Sequence, residues 1–138
     1  MVGFDASTEM VRMARERVGG RAEIHHIRFE NVEWREEFDG VWACASLLHV
    51  PLAEFDVVAA RIAGTMRPGG AWYMSFKLGS GERFTNGRYF TDHTEETLRE
   101  KFEGGLASID EVWMSGDVRP DRGGELWLNA IALRALAE

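Results

Sequence analysis

The pattern of hydrophobic and polar positions changes period several times along the chain, and each change marks an element. VGF at residues 2–4 is a short apolar run closed by Asp5, and Ser7 then opens STEMVRMARERV, where Met10, Met13, Ala14 and Val18 fall on one helical face. Ser7 suits an N-cap, Glu9 sits where the helix dipole favours a carboxylate, and Gly19-Gly20 ends the helix. EIHHIRF at 23–29 predicts a strand. After the turn-like Phe38-Asp39-Gly40, VWACAS at 41–46 is a continuous apolar run, as expected for a parallel strand covered on both faces. Pro51 precedes a predicted helix over 52–66 whose stripe is Phe55, Val58, Ile62 and Met66, and Arg67-Pro68-Gly69-Gly70 stops it. AWYMSF at 71–76 predicts another internal strand. KLGSGERFTNGRYFTDH, residues 77–93, predicts a long polar loop leading to a helix capped by Thr94 that carries Leu98 and Phe102 and closes at Gly104-Gly105.

Strands alternating with helices give the rhythm of a parallel sheet flanked by helices. The C-terminal part breaks it. EVWMSGDV and LWLNAIALR are separated only by RPDRGGE, too short for a parallel crossover, so they predict an antiparallel hairpin. The fold class is therefore α/β, a mostly parallel sheet with a C-terminal antiparallel hairpin.

With 138 residues, the chain reads as one domain over 1–138, able to bury a core without disulfides. No apolar run is long enough to span a bilayer and the N-terminus lacks a signal-peptide pattern, which leads to the expectation of a cytoplasmic protein with no membrane partner. A net charge of -7 without a Lys/Arg cluster argues against nucleic-acid binding. Cys44 has no internal disulfide partner and reads as a small buried hydrophobe. His25 and His26 are neighbours in a strand and face opposite ways, so no metal site is expected there. The tryptophans read as core and rim packing.

VGFDASTEMVRMARERV, FDGVWACASLLHVP and RIAGTMRPGGAWYMSF together resemble the class I S-adenosylmethionine-dependent methyltransferases, and SFKLGSGERFTNGRYFTDHTEETL with WLNAIALR resembles their bacterial tellurite-resistance-type, small-molecule branch. The resemblance implies a Rossmann-like sheet, S-adenosylmethionine as cofactor and a small-molecule acceptor. It assigns Asp5, at a strand end, to the ribose hydroxyls, with Ala6 beside it; capping of the following helix is the alternative role for Asp5. Asn31, with Glu30 as rival, falls where the family meets the adenine amino group, and both also read as solvated turn residues. Ala45 and Ser46 fall beside the adenosine and methionine moieties.

Methyl transfer from a sulfonium needs alignment more than a protein nucleophile. Where an acceptor must lose a proton, His49 is the candidate base, its alternative role being to brace a loop. Lys77, Glu82, Arg83 and Arg88 are candidates to line an acceptor site, the basic ones favouring an anionic group; a solvated surface loop is the alternative. The family places a strand and glycine-rich turn ahead of the segment with which this chain opens, so the sheet is expected to lack its first βα unit and its cofactor binding to be impaired. Three outcomes are then open: the flanking strands close up on each other, a strand-supplying partner or a homo-oligomer fills the gap, or the chain is only partly folded by itself. Two readings compete with the enzyme: a non-catalytic remnant or partner subunit, and a nicotinamide-binding domain, which the C-terminal hairpin disfavours.

Overall fold

The structure is a computed structural model and describes residues 1–121 and 123–137. It divides into two compact units, Met1–Glu33 and the residues from Trp34 on.

In the first unit, β1 (Val2–Asp5) pairs in parallel with β2 (Glu23–His26), Asp5 opposite His26. Helix α1 (Thr8–Val18) joins them. The Ser7 side chain accepts from the Met10 N–H, and the chain leaves the helix at Gly19 with φ 58, which a residue without Cβ adopts freely. The strand expected over 23–29 is shorter, because the chain tightens into a 3-10 turn at Phe29–Asn31.

In the second unit, β3 (Phe38–Ala43), β4 (Met66–Lys77), β8 (Leu126–Arg134) and β7 (Ala107–Gly116) form one sheet in the order β3-β4-β8-β7. β3 and β4 are parallel; β4/β8 and β7/β8 are antiparallel. The predicted C-terminal hairpin is present. The sheet is mixed rather than mostly parallel, because β8, the returning arm of that hairpin, inserts between β4 and β7. Helix α2 (Leu52–Thr65) supplies the β3-to-β4 crossover, and α3 (Glu95–Lys101) precedes β7. Trp72, Met74 and Phe76 pair across β4/β8 with Ala132, Ala130 and Leu128, all buried. That face meets the helices: Phe55 of α2 lies 6.1 Å from Phe76, and Phe102 lies 5.5 Å from Trp72.

Two sequence expectations fail here for local reasons. Residues 77–93 are not a loop: β5 (Gly81–Thr85) and β6 (Arg88–Asp92) form an antiparallel hairpin around Asn86-Gly87, whose φ values of 52 and 74 match a tight hairpin turn. Cys44 is exposed rather than buried. The last pair of the strand is Ala43 with Met74, and the chain has already turned by Ala45 at φ 50, so Cys44 lies beyond the paired strand.

Candidate functional site

In the first unit the candidate residues follow the C-terminal ends of two parallel strands. Asp5 ends β1 and is exposed; its Oδ1 accepts from the Ser7 N–H at 2.8 Å, so the carboxylate does help to shape the start of α1. Ala6 is tied to the other strand, its carbonyl accepting from His26 Nε2 at 2.9 Å. Glu30 is ion-paired with Arg28 at 2.9 Å, while Asn31 is exposed at the end of the 3-10 turn after β2.

In the second unit Ala45 and Ser46 lie beyond the C-terminal end of β3. The Ala45 N–H donates to Ser75 Oγ at 2.7 Å, which holds a left-handed backbone on a residue with only a methyl side chain. His49 ends a 3-10 turn, Leu47–His49, half-buried. Its Nδ1 lies 2.9 Å from the Tyr89 carbonyl, an acceptor, so Nδ1 carries the proton and Nε2 presents a lone pair.

The β5–β6 hairpin clamps this segment. Besides the His49–Tyr89 bond, Glu82 Oε1 accepts from the Leu52 N–H at 2.7 Å, and the Thr91 hydroxyl donates to the Val50 carbonyl at 2.8 Å. The Tyr89 hydroxyl on the Glu82 carboxylate is pushed up to about 12, and the same bond, with that from Leu52, holds Glu82 below the usual carboxylate range. Sequence reading missed Tyr89 and Thr91, and saw Glu82 only as a lining residue. Asn86-Gly87 was the signal that could have found the hairpin.

The basic candidates differ from one another. Lys77, buried, donates to Glu125 at 2.6 Å and Asp117 at 3.1 Å and lies 4.2 Å over the Trp127 ring. Arg83 pairs with Asp92 at 2.7 Å. Both cations are charge-compensated. Arg88 is exposed and makes no ion pair among the described residues.

A family profile described as a methyltransferase domain matches residues 1–70, half of the chain. The chain belongs to that methyltransferase family. No curated protein matches it in sequence. Among solved structures it is similar to the Burkholderia thailandensis 1,6-didemethyltoxoflavin-N1-methyltransferase with bound 1,6-didemethyltoxoflavin and S-adenosylhomocysteine. That match has 21% identity and TM-score 0.79, and covers 97% of this chain and 60% of that one. A SAM-dependent methyltransferase from Methanosarcina mazei is 16% identical at TM-score 0.81, with 99% and 82% covered. The cyclase SpnF is 18% identical at TM-score 0.74, with 99% and 67% covered. The fold is thus that of the Rossmann-like methyltransferases, and the chain spans 60% of the length of the Burkholderia enzyme. No described helix is long and apolar enough to cross a membrane.

Proposed function

We propose that this methyltransferase-family chain uses S-adenosylmethionine to methylate a small-molecule acceptor. The observation that carries the reading is Asp5: an exposed carboxylate at the C-terminal end of a parallel strand, inside the family match, oriented by the Ser7 N–H through one oxygen. In the first unit Asp5 and Ala6 would take the ribose hydroxyls and Asn31 or Glu30 the adenine amino group; in the second, the family resemblance gives Ala45 and Ser46 the contact beside the adenosine and methionine moieties.

When bound, S-adenosylmethionine supplies an electrophilic methyl group on a sulfonium, displaced in line. The chain's own contribution is alignment and proton handling. His49 Nε2, with Nδ1–H anchored on Tyr89, would take the proton of an acceptor that must ionise. An anionic acceptor group would meet Arg88 first, since Lys77 and Arg83 would have to exchange their carboxylates for it.

The 138 residues alone are expected to bind the cofactor weakly, because no glycine-rich turn precedes Asp5 within them. The alternative is a non-catalytic subunit completed by a partner or a second copy, in which β3, whose one strand partner among the described residues of its own unit is β4, would take a supplied strand. Titration calorimetry of S-adenosylhomocysteine into this chain, a form extended by any in-frame upstream residues and the Asp5→Asn variant of that extended form tests these readings. The reading expects tight binding by the extended form, lost with Asp5→Asn. Binding that ignores Asp5 sinks the assignment, and micromolar binding by the 138 residues sinks the impairment.

A further inference from the structure

Among the described residues, three other than glycine have positive φ: Glu36, Ala45 and Asn86. Asn86 sits in the β5–β6 hairpin turn, where Asn tolerates that conformation, and the Glu36 N–H donates to the Gly64 carbonyl at 2.9 Å. Ala45 is different. Its Cβ disfavours the left-handed region, and its N–H is met by a side chain 30 positions away, Ser75 Oγ at 2.7 Å. Such an outlier persists only where the surrounding groups over-determine it. Here it falls where the family resemblance puts the adenosine and methionine moieties.

Ser75 is placed to over-determine it. The residue is buried in β4 between Met74 and Phe76, where a polar side chain is costly unless it is bonded. Its hydroxyl accepts from the Ala45 N–H and donates to Cys44 Sγ at 3.9 Å, so it engages both residues at which the chain leaves β3. Met74, its neighbour, forms the last β3 pair with Ala43, which sets Ser75 one residue beyond the end of the pairing. The other side of β4 fixes Ser75 in turn. It pairs with Asn129 of β8, whose Oδ1 accepts from the Tyr73 hydroxyl at 2.6 Å and whose Nδ2 donates to Ser115 Oγ at 2.9 Å. The bonds from the β5–β6 hairpin reach His49, Val50 and Leu52, and Ser75 is the tie at the Ala45 end of the same segment.

We propose that Ser75 is a positioning residue for the cofactor, acting through Ala45. By holding the left-handed turn it sets where the backbone of Ala45 and Ser46 stands for the ligand. The proposal rests on the S-adenosylmethionine reading and adds to it a residue that β4 contributes from inside the sheet.

Ligand-observed NMR, with S-adenosylhomocysteine up to millimolar concentration, measures affinity for this chain, extended by any in-frame upstream residues. The same titration is run on Ser75→Ala, Ser75→Thr and the double variant Ser75→Ala/Ala45→Gly, and the Ala45 amide proton is the local signal. Ser75→Ala is expected to weaken binding about fivefold, the size of one hydrogen bond, and to move the Ala45 amide proton upfield. Ser75→Thr restores the hydroxyl and should regain the affinity. Ala45→Gly in the Ser75→Ala background should regain most of it, because glycine takes a left-handed φ without the cost that a Cβ carries. A packing role alone would lower stability in urea without changing the affinity, and would not answer to a substitution at Ala45. Should Ser75→Ala fail to fold, Ser75→Thr against Ser75→Val, alike in shape and different in the hydroxyl, carries the same comparison. Binding that Ser75→Ala leaves unchanged, or a loss that neither Ser75→Thr nor Ala45→Gly regains, would overturn the proposal. No binding by the unsubstituted protein at millimolar ligand would overturn the cofactor reading and the proposal with it, a result distinct from binding that ignores Ser75.

Discussion

Acidification probes the layer beneath α2 and α3 through a single ring. In the folded chain burial, and after it the positive charge of Lys101, push His93 from 6.5 down to about 4, with Asp92 pulling weakly the other way. Unfolded, the ring regains its ordinary value. Between about pH 6.5 and pH 4 the unfolded chain takes up a proton that the folded chain refuses, so stability is full above that window and declines as pH falls through it. Each pH unit of the window is worth at most about 1.4 kcal/mol, which sets a ceiling of roughly 3 kcal/mol. Relaxation of the folded chain around the charged ring offsets part of this, and about 2 kcal/mol is the loss expected by pH 4.5. Urea denaturation at stepped pH measures it. All five tryptophans lie from Trp34 on, so their fluorescence reports the second unit alone. His93→Phe, entering a site bordered by Phe55 and Phe76, supplies a reference that cannot titrate. Paired carboxylates such as Asp117, held low first by Arg119, also lose stability in acid, but in both proteins alike and mainly below the His93 window. Parallel pH curves for the two proteins would refute the reasoning.

Three further outcomes are expected. His49→Gln keeps an N–H for the Tyr89 carbonyl but removes the base, so methyl transfer to an acceptor that must ionise should fall about 10²-fold or more at unchanged S-adenosylhomocysteine affinity; a fall within twofold would reduce His49 to a brace. Gly70→Ala would bring a Cβ to 3.0 Å from the Arg67 carbonyl and the Met66 Cβ and to 3.1 Å from the Asp39 carbonyl, and should cost about 1–3 kcal/mol in urea melts. Ser7→Ala removes the acceptor for the Met10 N–H and should weaken α1 by about 1 kcal/mol, read as faster amide exchange in its first turn, since tryptophan fluorescence does not report the first unit.

What the sequence disclosed depended on how local the determining physics is. α1 and α3 were legible because Ser7 and Thr94 cap within three residues of their partners, Met10 and Thr97. α2 was legible because Phe55, Val58 and Ile62 lie on one face and are buried as the stripe implied. Strand limits were less legible. Phe38-Asp39-Gly40 has turn composition yet lies in β3, because the β4 partner passes alongside through an irregular register between Phe38 and Gly40. Cys44 lies just past the last pair of β3, Ala43 with Met74, and is exposed there. The position of β8 beside β4 is likewise a pairing choice made by residues distant in sequence, such as Ser75 with Asn129.

The candidate site shows the same division at the level of chemistry. Asp5, Ala45 and His49 could be named as candidates from the family resemblance and from their places at or after strand ends. The restraints on Ala45 and His49 could not, because each comes from elsewhere: Ser75 holds Ala45 across 30 positions, and Tyr89 holds His49 across 40. The hairpin that sequence composition presents as a solvent-facing substrate loop contributes three hydrogen bonds to the 47–52 segment, through Tyr89, Glu82 and Thr91. Two of those use the hairpin's side chains and one its backbone, so substitution at Glu82 or Thr91 loosens the segment while the His49 anchor survives any side-chain change at Tyr89 that keeps the hairpin intact. The tautomer of His49, and with it the availability of Nε2 as a base, is therefore set by the fold of the hairpin rather than by any one of its side chains.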